Sequence, residues 1–268
     1  EDLEFPVERE FKLGKLKHDE ILSLLDLLRR HKALGELEKK TPEEQEKELL
    51  DHAKGQLLVM LHEALHGKPF EDIVLDEYKR LPDEEAKSLY LTICTLNRTG
   101  VRVRAGLISR VHNISFAQFE QHFLKPLDGL VTSQQGRRGY DMEYQARHPH
   151  VAELVFSQVF VNPEDLLDRL LMILDGANPS YDTDRDSLQH LLNYRTLREL
   201  LPNPSMAEAV FERAISRFPE NGHLHLHRAL YEMNRNGGNF DAAADHLAIA
   251  EKHMPNSSIV RHSYAQLE

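Results

Sequence analysis

The chain has 268 residues, 41% of them hydrophobic, enough for one large core or two small ones. A formal net charge of -11 and a pI of about 5.8 deny it the basic footprint of a general nucleic-acid binder. Its single cysteine, Cys94, excludes an internal disulfide, and no apolar run reaches membrane-spanning length. A reducing, cytoplasmic compartment is expected, with Cys94 as a buried structural thiol. No signal peptide is visible, and the opening Glu1-Asp2-Leu3-Glu4 without Met suggests a fragment of a longer protein.

In chain order, residues 1–80 read as a helical domain after a short extended start, Phe11–Leu16. Asp19 can cap a helix carrying Ile21, Leu24, Leu25 and Leu28. Thr41-Pro42 followed by Glu43 and Glu44 starts a second helix. Leu49, Leu50, Ala53, Leu57, Leu58 and Leu61 continue its apolar face, and Gly67-Lys68-Pro69 stops it. A short helix then holds Ile73, Val74, Glu77 and Tyr78.

Residues 81–160 change rhythm. A helix is predicted from about Asp83 to Asn97, ending near Gly100, followed by a strand at Val101–Arg104 and a short helix over Leu107–Val111. Ser115 caps a longer helix with Phe116, Phe119, Phe123, Leu124 and Leu127. Leu130–Thr132 and Tyr140–Tyr144 flank Gln134–Gly139, a hairpin with a basic tip. Helix, strand, helix, helix, hairpin is the order of a winged helix. After it, Tyr144–Phe156 reads as a strand turning into a helix, with Pro149 at the first helical position. Arg147 and His148 thus stand just before a helix N-terminus. Free backbone N–H groups and the helix dipole favour an anion there, and Arg147 and His148 could read a phosphate. The same two residues also suit a purely structural tie between the wing and its helix.

Residues 161–204 give two connecting helices separated by Asn178-Pro179-Ser180. From 205 to 268 the chain repeats. Ala207, Phe211, Ala214 and Pro219 recur as Ala243, Leu247, Ala250 and Pro255, 36 residues on (255 − 219). Their spacing is that of the second helix of a tetratricopeptide repeat, with Ala229 and Ala265 as the small residues of the first helix. Gly237-Gly238 accommodate the two residues beyond the usual period of about 34.

Two metal motifs compete with this reading. His62-Glu63-Ala64-Leu65-His66 is a literal H-E-x-x-H, with His62 and His66 as zinc ligands and Glu63 as general base. Gly67-Lys68-Pro69 breaks that helix at once, and no third ligand is singled out. His223 and His227 lie one helical turn apart, but two histidines leave a zinc site incomplete. Arg102, Arg104 and Arg110, with Arg137 and Arg138 at the wing tip, could contact a DNA backbone. A zinc metalloprotease and a winged-helix DNA-binding regulator are therefore the alternative functions. No Walker A loop, nucleophile elbow or reactive cysteine setting is present.

Three segments carry a family resemblance. They are Leu22–Leu37, ending in His31-Lys32-Ala33-Leu34-Gly35; Gln56–Gly67 followed by Phe70–Val74 and Glu77-Tyr78; and Tyr144–Ala152. With the repeats, they resemble the region downstream of the nucleotide core in STAND-class P-loop NTPases, the prokaryotic antiviral relatives of NOD-like receptors. The resemblance implies an all-α fold with a small β-hairpin wing: helical lid, winged helix, connecting helices and the start of a repeat sensor. It implies ADP or ATP with Mg as cofactor of the full-length protein, and no catalysis by this fragment alone. It implies a protein ligand captured by the repeats, a P-loop domain in the same polypeptide, and homo-oligomerisation on activation. His148 takes the place of the family's winged-helix histidine at the ADP β-phosphate, with Arg147 as a second contact. The Met-His-Asp form of many relatives is replaced here by Arg147-His148-Pro149.

Overall fold

The computed structural model describes residues 17–52, 67–98, 100–115, 118–136 and 141–267. The chain is all-α with a small β wing and separates into two compact units, Glu1–Glu77 and Tyr78–Glu268. The division falls inside a helix.

The first unit contains α1 (His18–Arg30), a 3-10 turn (Gly35–Lys39), α2 (Pro42–His52) and most of α3 (Phe70–Lys79). Lys17, not Asp19, is the N-cap of α1; its backbone N–H donates to Glu20 Oε2 at 2.6 Å, so the helix begins earlier than its acidic residue suggests. Thr41 and Glu44 form the reciprocal cap of α2, each backbone N–H donating to the other's side chain. Ile21, Leu25, Leu37 and Leu49 make the core, with Leu24 and Leu34 against it. Leu50, expected on the apolar face, is exposed. Buried Gln45 binds the unit together: its amide donates to the Leu37 and Lys40 carbonyls and accepts from Arg29. Gly67 has φ +67, a left-handed backbone that glycine adopts without strain.

The second unit opens with α4 (Glu84–Asn97), capped by Asp83, whose carboxylate accepts from the Ala86 N–H at 2.8 Å. β1 (Val103–Arg104) and α5 (Ala105–His112) follow, then a π-helical turn (Glu120–Leu124) in place of a long regular helix. β2 (Val131–Gln135) and β3 (Met142–Ala146) form the hairpin, and β1 pairs with β3 to give the antiparallel order β1-β3-β2. This element order and strand order are those of a winged helix. Gln134 and Gln135, expected in the tip, are strand residues paired with Glu143 and Met142. The tip arginines Arg137 and Arg138 lie outside the described residues. Phe119, Phe123 and Tyr144 stack between hairpin and helix, with ring centroids 4.5–5.6 Å apart. Cys94 is buried, and burial holds its thiol above the ordinary range, which makes it an inert packing group.

α6 (Pro149–Val159) packs on α4, burying Val151, Ala152, Val155 and Phe156. Three connecting helices follow rather than two: α7 (Pro163–Gly176), α8 (Asp182–Leu191) and α9 (Tyr194–Leu200). The extra break falls at Asn193, whose side chain accepts from the Arg195 N–H and starts α9.

The repeat comprises α10 (Pro204–Arg217), α11 (Gly222–Asn234), α12 (Phe240–His253) and α13 (Ser258–Leu267). Helix starts recur at the sequence offset of 36: 204 to 240 and 222 to 258. The N-caps are Asn203 and Asn239, an identity the expected Pro204-Ser205 start missed. The C-caps Phe218 and Met254 have nearly the same backbone, φ -134 and ψ 58 against φ -135 and ψ 61. Ala207, Phe211, Ala214 and their counterparts Ala243, Leu247 and Ala250 are all fully buried. Ala229 is buried, packed with the core between α11 and α12, whereas Ala265 is exposed.

Candidate functional site: the turn into α6 and the joint beside it

The turn that ends the wing is shaped locally. β3 ends at Ala146, and the Arg147 N–H donates to the Leu130 carbonyl at 2.9 Å, closing the hairpin. His148 is extended (φ -156, ψ 140) and caps α6: its Nδ1 accepts from the His150 N–H at 3.1 Å. A ring nitrogen that accepts carries no proton, so His148 is neutral with its proton on Nε2. Burial and the neighbouring His150 both hold its pKa below the usual histidine value.

This geometry alters the expected anion site. Pro149 has no N–H, and the His150 N–H is taken by the His148 ring. The backbone contribution of the helix start is therefore largely spent. What the turn offers an anion is the Nε2–H of exposed His148, with half-buried Arg147 beside it. Both uses of the turn coexist in one residue: Nδ1 is structural, and Nε2 is available.

A histidine whose folded pKa is lowered contributes stability that is fully present above its unfolded value and lost as pH falls through the folded value. His112 and His227, both lowered to about 4 chiefly by burial, act in the same direction as His148. Thermal stability is expected to fall as pH is lowered from about 6.5 towards 4. His148→Asn keeps a good cap without a titrating ring, so it should show a shallower decline in calorimetric scans across that range. A decline equal to that of the unmodified chain would contradict the capping role.

The basic residues of the winged helix have a different fate from DNA contact. Asp184, in α8, is fully buried. Its carboxylate accepts from Arg110, from Arg104 Nε at 3.4 Å and from the Asn178 N–H at 3.0 Å. Arg104 also binds Asp141 at 2.6 Å, and its guanidinium lies 3.5 Å from the Tyr181 ring centroid. Arg110 Nε donates to the Gly176 carbonyl at 2.7 Å. Burial alone would lower the Arg104 pKa, but the Asp141 bond and the Asp184 charge hold it above the ordinary value. Arg102 donates to Gln145 at 2.9 Å. These three arginines are therefore engaged within the unit. Arg104 and Arg110 join the winged helix to the connecting helices, while Arg102 stays within the sheet.

In α6 itself, Glu153 is held by Arg98 at 2.8 Å, and the Arg98 guanidinium lies 4.2 Å from the Phe156 ring centroid. Asp184 went unrecognised in the sequence because it is one of three acidic residues in Asp182–Asp186, and only tertiary contacts single it out.

The H-E-x-x-H residues His62, Glu63 and His66 lie outside the described residues. Among the described residues no group of three or more His, Cys, Asp or Glu is placed to hold a metal. His227 stacks on Tyr194 with centroids 6.2 Å apart, while His223 is exposed. No described helix is long and apolar enough to cross a membrane. No family model matches the chain, and no curated protein or solved structure is significantly similar to it.

Proposed function

We propose that this chain is the lid, winged-helix and early sensor portion of a cytoplasmic STAND-class NTPase acting in antiviral defence or signalling. In the resting state His148 donates its Nε2–H to the β-phosphate of ADP held by the P-loop domain of the same protein, with Arg147 as a second contact. Mg accompanies the nucleotide on the core. The fragment itself performs no hydrolysis. A protein ligand on the repeats opens the closed state, and ATP then favours a homo-oligomer.

The observation that carries this reading is one side chain, His148, whose structural bond fixes Nε2–H as an outward donor at the end of a wing. The Asp184 joint supports it, because a buried ionic clasp lets force on the repeat side reach the winged helix. A cleft of about 670 Å³ where α8 meets the repeat turns, with Pro179, Phe218, Pro219 and Met254 on its wall, offers apolar surface to a protein ligand. Ligand and nucleotide must each bind the two states differently for such coupling to exist.

The test is the mass distribution of the full-length gene product with its trigger, measured in ADP and in ATP. The expected result is a monomer in ADP and a discrete oligomer in ATP; the same mass in both contradicts the switch.

A further inference from the structure

Buried guanidinium groups are ordinarily matched by carboxylates, because an unpaired charge out of water is costly. Arg169 of α7 departs from this. It is half-buried in the wall of a cleft of about 350 Å³ between α4 and α7. Asp165 lies one helical turn before it, a spacing that allows an ion pair, yet among the described residues Arg169 forms none with it. Arg169 points across to α4 instead. Its Nη1 donates to the Ser88 carbonyl at 3.2 Å, to Ser88 Oγ at 2.9 Å and to Thr92 Oγ1 at 2.9 Å.

Those acceptors are themselves fixed. Thr92 Oγ1 donates to the Ser88 carbonyl at 3.1 Å, which leaves it accepting from His112 Nε2 at 2.9 Å. His112 is therefore the neutral Nε2–H tautomer, and adds no second positive charge behind Arg169. One edge of the guanidinium is clamped and oriented in this way. Its Nε and Nη2 donors have no protein acceptor among the described residues, and they are not sealed from solvent. A planar fork with free donors is the group that takes a carboxylate bidentately.

The rest of the lining narrows the ligand. Asp165 and Asp168 are exposed on the cleft rim, and Lys87 is already paired with Glu84 at 2.6 Å. A simple anion would meet Arg169 but be repelled by that rim. A ligand carrying a cation beside its carboxylate satisfies both. Leu91, Phe160 and Met172 supply an apolar wall.

We propose that the α4–α7 cleft binds a free amino acid with an apolar side chain. Its carboxylate is taken by Arg169, its ammonium group faces Asp165 and Asp168, and its side chain packs on Leu91, Phe160 and Met172. The site does not depend on the nucleotide reading above.

Titration calorimetry of the whole chain tests it, with leucine, leucinamide, N-acetylleucine and inorganic phosphate as probes. Leucine should give a saturable one-to-one isotherm at millimolar concentration. Leucinamide, lacking the carboxylate, and N-acetylleucine, lacking the cation, should each bind about 10-fold more weakly or worse. Arg169→Lys should weaken leucine by about 10-fold through loss of the fork. Asp168→Asn, on an exposed surface that folding does not require, should weaken leucine but not N-acetylleucine. No saturable binding of leucine, equal binding of leucinamide, tighter binding of phosphate, or an unchanged Asp168→Asn isotherm would each overturn the proposal.

Discussion

Asp184→Ala is expected to destabilise the Tyr78–Glu268 unit by about 3–5 kcal/mol, the cost of breaking a buried pair by removing one partner. The substitution strips the acceptor from Arg104, Arg110 and the Asn178 N–H together, and Asp184 is 0% exposed, so water does not replace it cheaply. Arg104 retains Asp141 and the Tyr181 face, which keeps the loss near the lower end of that range. Asp184→Asn keeps the shape and an acceptor oxygen and should cost less. Urea titration followed by circular dichroism checks this: the midpoint should fall with the slope unchanged. A loss below about 1 kcal/mol, the level of an exposed ion pair, would mean that the joint is not a buried clasp.

Gly238→Ala is the second large effect. A Cβ at Gly238 would stand 1.7 Å from the Glu232 carbonyl oxygen and 2.8 Å from its carbon. Glu232 does not yield easily. It is buried, and its carboxylate binds Arg228 at 2.9 Å, Arg235 at 2.7 Å and the Asn239 N–H at 2.9 Å. Relieving the clash therefore pulls apart the turn that joins the two helical hairpins. The expected loss is about 4 kcal/mol or more, at the far end of what single substitutions do. Gly237→Ala is the internal comparison. Gly237 has φ +66 but open space around it, so only the left-handed backbone is strained, at about 1–2 kcal/mol. Melting temperatures of the two variants should separate clearly. Equal losses would contradict the contact with Glu232.

These two cases show what the sequence made legible. Gly237-Gly238 stood out as the extra pair in a 36-residue repeat, but nothing in the sequence said which glycine was sterically required. The repeat itself was legible because its buried positions recur at one offset, and Ala207 and Ala243 share full burial. The turn at His148 and Pro149 was legible because capping signals are local. The break between α8 and α9 was not, since Leu188, Leu191, Leu192 and Leu197 are all buried and keep the apolar pattern unbroken across Asn193. β2 ran past its expected end because Thr132–Gln135 are exposed and show no alternation.

For the candidate site, residue identity was legible and residue use was not. Arg104 and Arg110 read as free cations until Asp184, about 80 residues away along the chain, came to meet them. Arg169 carried no local signal, because its significance lies in Ser88 and Thr92 on another helix. Long-range pairing of charges is decided by tertiary packing, which neither periodicity nor spacing encodes.

The central claim is that His148 uses Nδ1 to cap α6 and Nε2 to hold ADP. The most direct measurement is the release rate of bound ADP from the full-length gene product, unmodified and as His148→Asn. That substitution preserves the cap, so the fold is kept while the Nε2–H donor is lost. The account predicts ADP bound to the purified protein and release at least about 10-fold faster from the variant, the effect of losing one good hydrogen bond to a charged group. A product that carries no adenine nucleotide, or equal release rates from the two proteins, would contradict it.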